Sequence, residues 1–180
     1  MPEPTPDITR LPATELLRRY QDKSLSPVEV TQAVLDRIEH DNPVVNAFCI
    51  VDPKQALASA RGSESRWAKG APCGLVDGVP TTIKDVVLTK GWPTLRGSRT
   101  TDPHQSWEED APCTARLREQ GAVLLGKTTT PEFGWKGITD SALTGITRNP
   151  WNTGRSPAGS SGGAAAAAAL GLGALHIGTD

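Results

Sequence analysis

The stretch from residue 79 to 125 constrains the fold of this chain most, because short apolar runs there alternate with a single helical pattern. Val79 to Leu88 is predicted as a strand, Pro112 to Gln120 as a helix, and Ala122 to Leu125 as a second strand. A strand, a helix and a strand in this order favour parallel pairing through a crossover connection. The sequence therefore predicts an α/β fold.

Both flanks of this stretch fit the same fold class. Upstream, Ser26, Pro27 and Glu29 form a capping box with proline at the first helical position, and we expect that helix to end at Pro43. Residues 46–51 are predicted as a short extended segment, and Asp52 with Pro53 as the start of a further helix. Downstream, a Gly/Ser loop leads into six alanines, which favour a helix, and residues 175–177 are predicted as a strand.

Composition excludes several classes of protein. The 180 residues carry 19 Lys and Arg against 20 Asp and Glu, a net charge of -1, which gives no broad basic surface for nucleic acid or anionic lipid. No apolar run is long enough to span a bilayer, and the N-terminal residues lack the pattern of a signal peptide. Three scattered cysteines are typical of free thiols in a reducing compartment. We expect a cytoplasmic protein with no direct nucleic-acid or membrane partner.

A nucleotide-binding string is present but lies in the wrong context. Residues 121–128 match the P-loop pattern G-x-x-x-x-G-K-T. A P-loop follows a strand and leads into a helix whose N-terminus binds phosphate. Here the central positions of the string are themselves predicted as a strand, and Thr129, Thr130 and Pro131 follow in place of a helix. We therefore do not expect a nucleotide site.

Two other segments could carry chemistry, and each has an ordinary structural alternative. The loop of residues 159–163 precedes a helix, where backbone N–H groups suit an anion or an oxyanion, although Gly/Ser runs also occur as flexible linkers. Lys84 lies in an apolar run, where burial would lower its pKa and make the amine a base. The alternative is a solvated lysine on the polar face of an edge strand.

In combination, these segments resemble the amidase signature family. The resemblance is carried by five motifs in order: G-V-P-T-T-I-K-D at 78–85, G-K-T at 126–128, E-F at 132–133, N-P-W-N at 149–152 and G-S-S-G-G at 159–163. The opening segments at 26–29 and 42–48 are also similar to that family. The motifs cover nearly the whole chain.

This resemblance implies a mixed, largely parallel sheet flanked by helices, and cleavage of a small-molecule amide C–N bond by a Ser, cis-Ser, Lys triad. By position, Lys84 would be the base and Ser160 the bridging serine, whose cis peptide directs its hydroxyl between the lysine and the nucleophile. Ser161, with Gly159 and Gly162, would support the loop. The family needs no metal or organic cofactor, and a homodimer is a further expectation for the full-length enzyme.

The chain departs from the family at its last residue. The nucleophile of the family belongs to a D-x-G-G-S string, of which Asp180 would be the first residue. We therefore expect residues 1–180 to form the N-terminal part of a single amidase signature domain, with 1–7 as a flexible arm, and to be inactive alone. Ala158 and Ala164 stand where the family usually has Gly and Ser.

Two alternatives stay open from the sequence. One is the A subunit of an aminoacyl-tRNA amidotransferase for tRNA charged with Glu or Asp. That subunit releases ammonia from glutamine. The residues that would distinguish this protein from a simple amidase lie mostly beyond Asp180. The other alternative is a non-catalytic scaffold that acts as an interaction module.

Overall fold

The computed structural model describes residues 7–180, so most of the predicted N-terminal arm, residues 1–6, lies outside the described residues. Asp7 does not belong to an arm. Its carboxylate accepts a hydrogen bond from the Thr9 N–H at 3.1 Å and caps a short 3₁₀ turn over Ile8–Arg10. An acceptor at this position satisfies one of the free N–H groups with which every helix begins.

Three helices and one strand make up the N-terminal half: α1 (Ala13–Gln21), α2 (Pro27–Val45), β1 (Phe48–Val51) and α3 (Pro53–Ala68). The predicted capping box at the start of α2 is present, with the Ser26 hydroxyl and the Glu29 carboxylate bonded to backbone N–H groups. The Asp52 carboxylate caps α3 in the same way, through the Gln55 N–H at 2.9 Å.

The predicted end of α2 at Pro43 is wrong, because the helix continues to Val45 with the proline inside its last turn. Proline lacks the backbone N–H that would donate to Glu39 O, and Glu39 is exposed, so water can satisfy that carbonyl. The true end is Asn46, which adopts the left-handed conformation with φ 51° and donates its backbone N–H to Asn42 O at 2.7 Å. The extended segment correspondingly begins at Phe48.

The second half contains β2 (Pro80–Lys84), α4 (Pro112–Glu119), β3 (Val123–Thr128), the short hairpin β4 (Asp140–Ser141) and β5 (Gly145–Ile146), α5 (Gly162–Leu170) and β6 (Leu175–Ile177). A 3₁₀ turn over Glu132–Gly134 follows β3. Strand β2 is shorter than predicted, since the chain turns after Lys84, where the Val87 N–H donates to Lys84 O at 3.0 Å. Strand β3 is longer than predicted and takes Lys127 into the sheet.

The main sheet has the strand order β1-β3-β2-β6. Strand β2 pairs in parallel with both β3 and β6, whereas β1 pairs antiparallel with β3. The predicted α/β class with a mixed, largely parallel sheet is thus confirmed. One core cluster joins α1, α2, α3 and α5 to β3 through residues such as Val123 and Leu125, and a smaller cluster around Ile83 and Trp92 lies on the other face.

Candidate active site

Lys84 occupies the last position of β2, where the sheet delivers a long side chain to the carboxyl end of its parallel strands. The residue is fully buried. Its Nζ lies 2.6 Å from Ser160 Oγ and 2.7 Å from Thr179 Oγ1. Among residues 7–180 no carboxylate is in ion-pair contact with this amine, and burial lowers the pKa of Lys84 from its usual value. An amine with a lowered pKa and a hydroxyl in contact can accept a proton from that hydroxyl.

Ser160 lies in the turn between residue 157 and α5, and the peptide bond between Gly159 and Ser160 is cis. Ala158, directly before it, has φ 68°, a left-handed conformation in which glycine is the least strained residue. Gly159 and Gly162 both lie tightly against neighbouring chain: an added Cβ at Gly159 would come within 3.0 Å of the Ile138 backbone. A side chain at either position would therefore clash with its neighbours.

Ser161 contacts the segment after β6 rather than the lysine. Its Oγ donates to Thr179 O and accepts from the Thr179 N–H, both at 3.1 Å. This pair of bonds ties the serine loop to the residue whose hydroxyl meets Lys84. Asp180 follows and is exposed. The structure thus brings Lys84 and Ser160 into direct contact, puts Ser161 one contact away from Lys84, and leaves Asp180 at the edge of the cluster.

Sequence reasoning missed two threonines in this cluster. Thr179 contacts Lys84 directly, and its position beside Asp180 in the expected nucleophile string was a signal that could have found it. Thr139 contacts both sides of the serine loop through its hydroxyl. No sequence signal pointed to Thr139, because it lies in an irregular segment about twenty residues upstream of the loop.

The lysine of the P-loop-like string has a different environment. Lys127 Nζ is fully buried and lies 3.2 Å from Asp85 Oδ1, and it donates to Thr94 Oγ1 at 2.6 Å and Val87 O at 3.0 Å. Burial lowers the pKa of Lys127 and raises that of Asp85, and each charge reduces the other's shift. The three residues after β3 form no helix, so the string lacks the N-terminus that would bind phosphate.

Comparison with known proteins assigns the family. The family model described as Amidase matches residues 29–180. The chain belongs to the amidase signature family. It is 43% identical over 176 residues to the A subunit of the glutamyl-tRNA(Gln) amidotransferase of Acidothermus cellulolyticus, covering 97% of this chain and 34% of that protein. It is 38% identical over 168 residues to the indoleacetamide hydrolase of Bradyrhizobium diazoefficiens, covering 93% of this chain and 32% of that protein.

A solved structure agrees with this assignment. A bacterial aryl acylamidase of the amidase signature family superimposes with a TM-score of 0.84 at 35% identity, over 91% of this chain and 34% of that one. The chain therefore spans about a third of the length of the relatives it matches. Within residues 7–180, no helix is both long and apolar enough to cross a membrane, and no three His, Cys, Asp or Glu side chains are grouped as metal ligands.

Proposed function

We propose that this chain supplies the lysine and the bridging serine of an amidase that cleaves a carboxylic amide C–N bond. The observation that carries the proposal is the 2.6 Å contact between Lys84 Nζ and Ser160 Oγ, in which the amine has no counter-charge among the described residues. The reaction class follows from the family to which the chain belongs.

In the proposed mechanism, neutral Lys84 takes a proton from Ser160 while Ser160 takes one from a nucleophilic serine. That serine attacks the amide carbonyl and forms an acyl-enzyme, and the proton returns to the leaving nitrogen. Water, or another amine, then releases the acyl group. By the family resemblance, the nucleophile and its oxyanion donors would belong to residues outside 1–180, so residues 1–180 alone are proposed to be inactive.

The experiment uses the natural protein that contains this sequence, assayed with an aryl acylamide, indoleacetamide and glutamine. Lys84→Met and Ser160→Ala should each lower kcat/KM by about 10²–10⁴-fold, the usual contribution of a positioned proton-transfer group. Lys54→Met, which changes an exposed lysine in the first turn of α3, is the matched control and should not alter turnover. Near-normal turnover of Lys84→Met would refute the mechanism.

A second candidate is favoured by the 43% identity to the A subunit of a glutamyl-tRNA(Gln) amidotransferase. Such a protein would release ammonia from glutamine and pass it to an acceptor, with other subunits or tRNA as partners. Glutamine turnover that depends on added partner proteins would support this candidate, and efficient turnover of the other two amides without partners would support the simple amidase.

Three further expectations stay as predictions. The protein is proposed to be cytoplasmic, to use no cofactor, and to form a homodimer in its natural length. Sedimentation velocity of the natural protein tests the last of these. A monodisperse 180-residue product in the source organism, with no amide turnover, would instead favour the non-catalytic interaction module.

A further inference from the structure

The hydroxyl of Thr139 bridges the two sides of the loop that carries Ser160. Thr139 Oγ1 donates to Ala158 O at 2.9 Å and accepts from the Gly162 N–H at 3.0 Å. These two partners lie directly before and after the three residues Gly159, Ser160 and Ser161. One buried side chain therefore fixes the distance between the ends of the turn.

The directions of both bonds are determined by chemistry. A carbonyl oxygen can only accept and a backbone N–H can only donate, so the hydroxyl must use its single proton for Ala158 O and a lone pair for Gly162. Gly162 is also the first residue of α5, whose own N-cap residue, Ser161, makes no capping bond with its side chain. Thr139 thus supplies from a distant segment the acceptor that a helix start requires.

Thr139 is in turn connected to the sheet. Its carbonyl accepts from the Thr147 N–H at 3.0 Å, and Thr147 Oγ1 lies 2.6 Å from Thr129 Oγ1, directly after β3. Thr147 Oγ1 also donates to Asn46 O at 2.8 Å. All three threonines are at most 1% exposed. The serine loop is therefore tied, through consecutive hydrogen bonds, to the strand that lies beside β2 and Lys84.

Close packing restricts the loop to this position. A Cβ added at Gly162 would overlap both Oγ1 and Cβ of Thr139, and one added at Gly159 would come within 3.0 Å of Thr139 Oγ1. The loop thus rests directly on this side chain at two points. A small displacement of the threonine would shift Ser160 relative to Lys84.

We propose that Thr139 is a positioning residue that holds the Ser160 hydroxyl against Lys84 Nζ. This inference rests on the proposed function, because it assigns Thr139 a part in the same proton transfer. Thr139 itself touches neither the lysine nor the serine hydroxyl, and acts through the loop alone.

The test uses the natural protein that contains this sequence and three threonine variants. Thr139→Val keeps the shape of the side chain and removes both bonds, whereas Thr139→Ser keeps the hydroxyl. Thr114→Val is the matched control, since Thr114 is equally buried and its Oγ1 likewise donates to a backbone carbonyl, Leu88 O at 3.0 Å.

Thr139→Val should lower kcat by about 10- to 100-fold and leave KM within about two-fold of the wild-type value, since a misplacement of about 1 Å can have such an effect. Thr139→Ser should restore most of kcat, and Thr114→Val should leave it unchanged.

Hydrogen exchange provides a readout that does not depend on turnover. The Gly162 amide should exchange at least about ten-fold faster in Thr139→Val than in Thr114→Val, because only the first variant removes its acceptor. Unchanged Gly162 exchange, or equal kcat in the two valine variants, would overturn the positioning role. Normal turnover in Lys84→Met would instead show that the proposed function is wrong, whatever Thr139→Val does.

Discussion

Lys84 and Lys127 lie on neighbouring parallel strands and are both fully buried, yet their amines meet different partners. Lys84 Nζ contacts two hydroxyls, those of Ser160 and Thr179, whereas Lys127 Nζ contacts a carboxylate, a hydroxyl and a carbonyl. The strand register pairs Ile83 with Lys127, and side chains alternate along a strand, so the two lysines face opposite sides of the sheet.

The difference separates a lysine that can act as a base from one that holds the structure. Burial opposes the charge on both amines, but within residues 7–180 only Lys127 has a counter-charge, at Asp85, to offset that effect. Hydroxyls around Lys84 accept a hydrogen bond from a charged amine or donate one to a neutral amine, so they serve both protonation states. Fixed acceptors around Lys127, a carbonyl and a carboxylate, favour only the charged state.

Removing the counter-charge of Lys127 tests this contrast most strongly. Asp85→Asn should lower the free energy of unfolding by about 3–5 kcal/mol, because it leaves a buried amine without its partner. Adding Lys127→Met to Asp85→Asn should recover part of that loss. Urea denaturation of the single and double variants measures both quantities. A loss below about 1 kcal/mol for Asp85→Asn would mean that the pair is neutral in the folded protein, and the contrast with Lys84 would fail.

Giving Lys84 a counter-charge is the converse experiment. Thr179 is exposed and its Oγ1 lies 2.7 Å from Lys84 Nζ, so Thr179→Asp puts a carboxylate beside the amine. The pKa of Lys84 should rise, because an opposite charge in contact favours the charged form of the amine. A pH titration of Lys84 followed by NMR measures this rise, and Thr179→Asn, which has the same shape without the charge, is the control. Equal pKa values in the two variants would show that solvent screens this site.

The contrast between the lysines also shows how far sequence reasoning reaches. Both strands, the crossover helix and the Gly/Ser loop are local patterns, and each was found within a few residues of its observed bounds. The contact between Lys84 and Ser160 joins residues 76 positions apart and was expected only through resemblance to a family. Thr139 gave no signal, because a polar residue in a loop has the same appearance in a sequence whether it is solvated or buried against a reactive group. Asp85 was visible only as the last residue of the motif at 78–85, and nothing in the sequence indicated that it pairs with Lys127.

The pH dependence of stability provides a weaker test of the same difference. A lysine whose pKa is lowered on folding binds fewer protons in the folded than in the unfolded chain, between the lowered value and about 10.4. Stability therefore rises with pH across that window and falls as pH decreases through it. Between pH 7 and 10, the free energy of unfolding of the wild type should rise relative to that of Lys84→Met. A difference of one full proton between the folded and unfolded chains would give about 1.4 kcal/mol per pH unit, and we expect a fraction of that slope. Thermal unfolding at several pH values measures the difference. If the stabilities of the two proteins change with pH in parallel, the pKa of Lys84 is not lowered on folding.

The smallest effect concerns the loop that brings Ser160 to Lys84, whereas the partners of Lys127 lie in the segment that follows β2. Ala158 has φ 68°, a left-handed conformation in which alanine is strained. Ala158→Gly should stabilise the protein by about 0.5–1 kcal/mol. Glycine removes the strain of an alanine in the left-handed conformation, and this gain exceeds the stabilisation of the unfolded chain by the greater conformational entropy of glycine. Ala165→Gly, at an exposed position inside α5, is the matched control and should destabilise by a similar amount. Loss of stability in both variants would show that Ala158 is not strained, and that the surrounding contacts favour its methyl group enough to keep the loop in place.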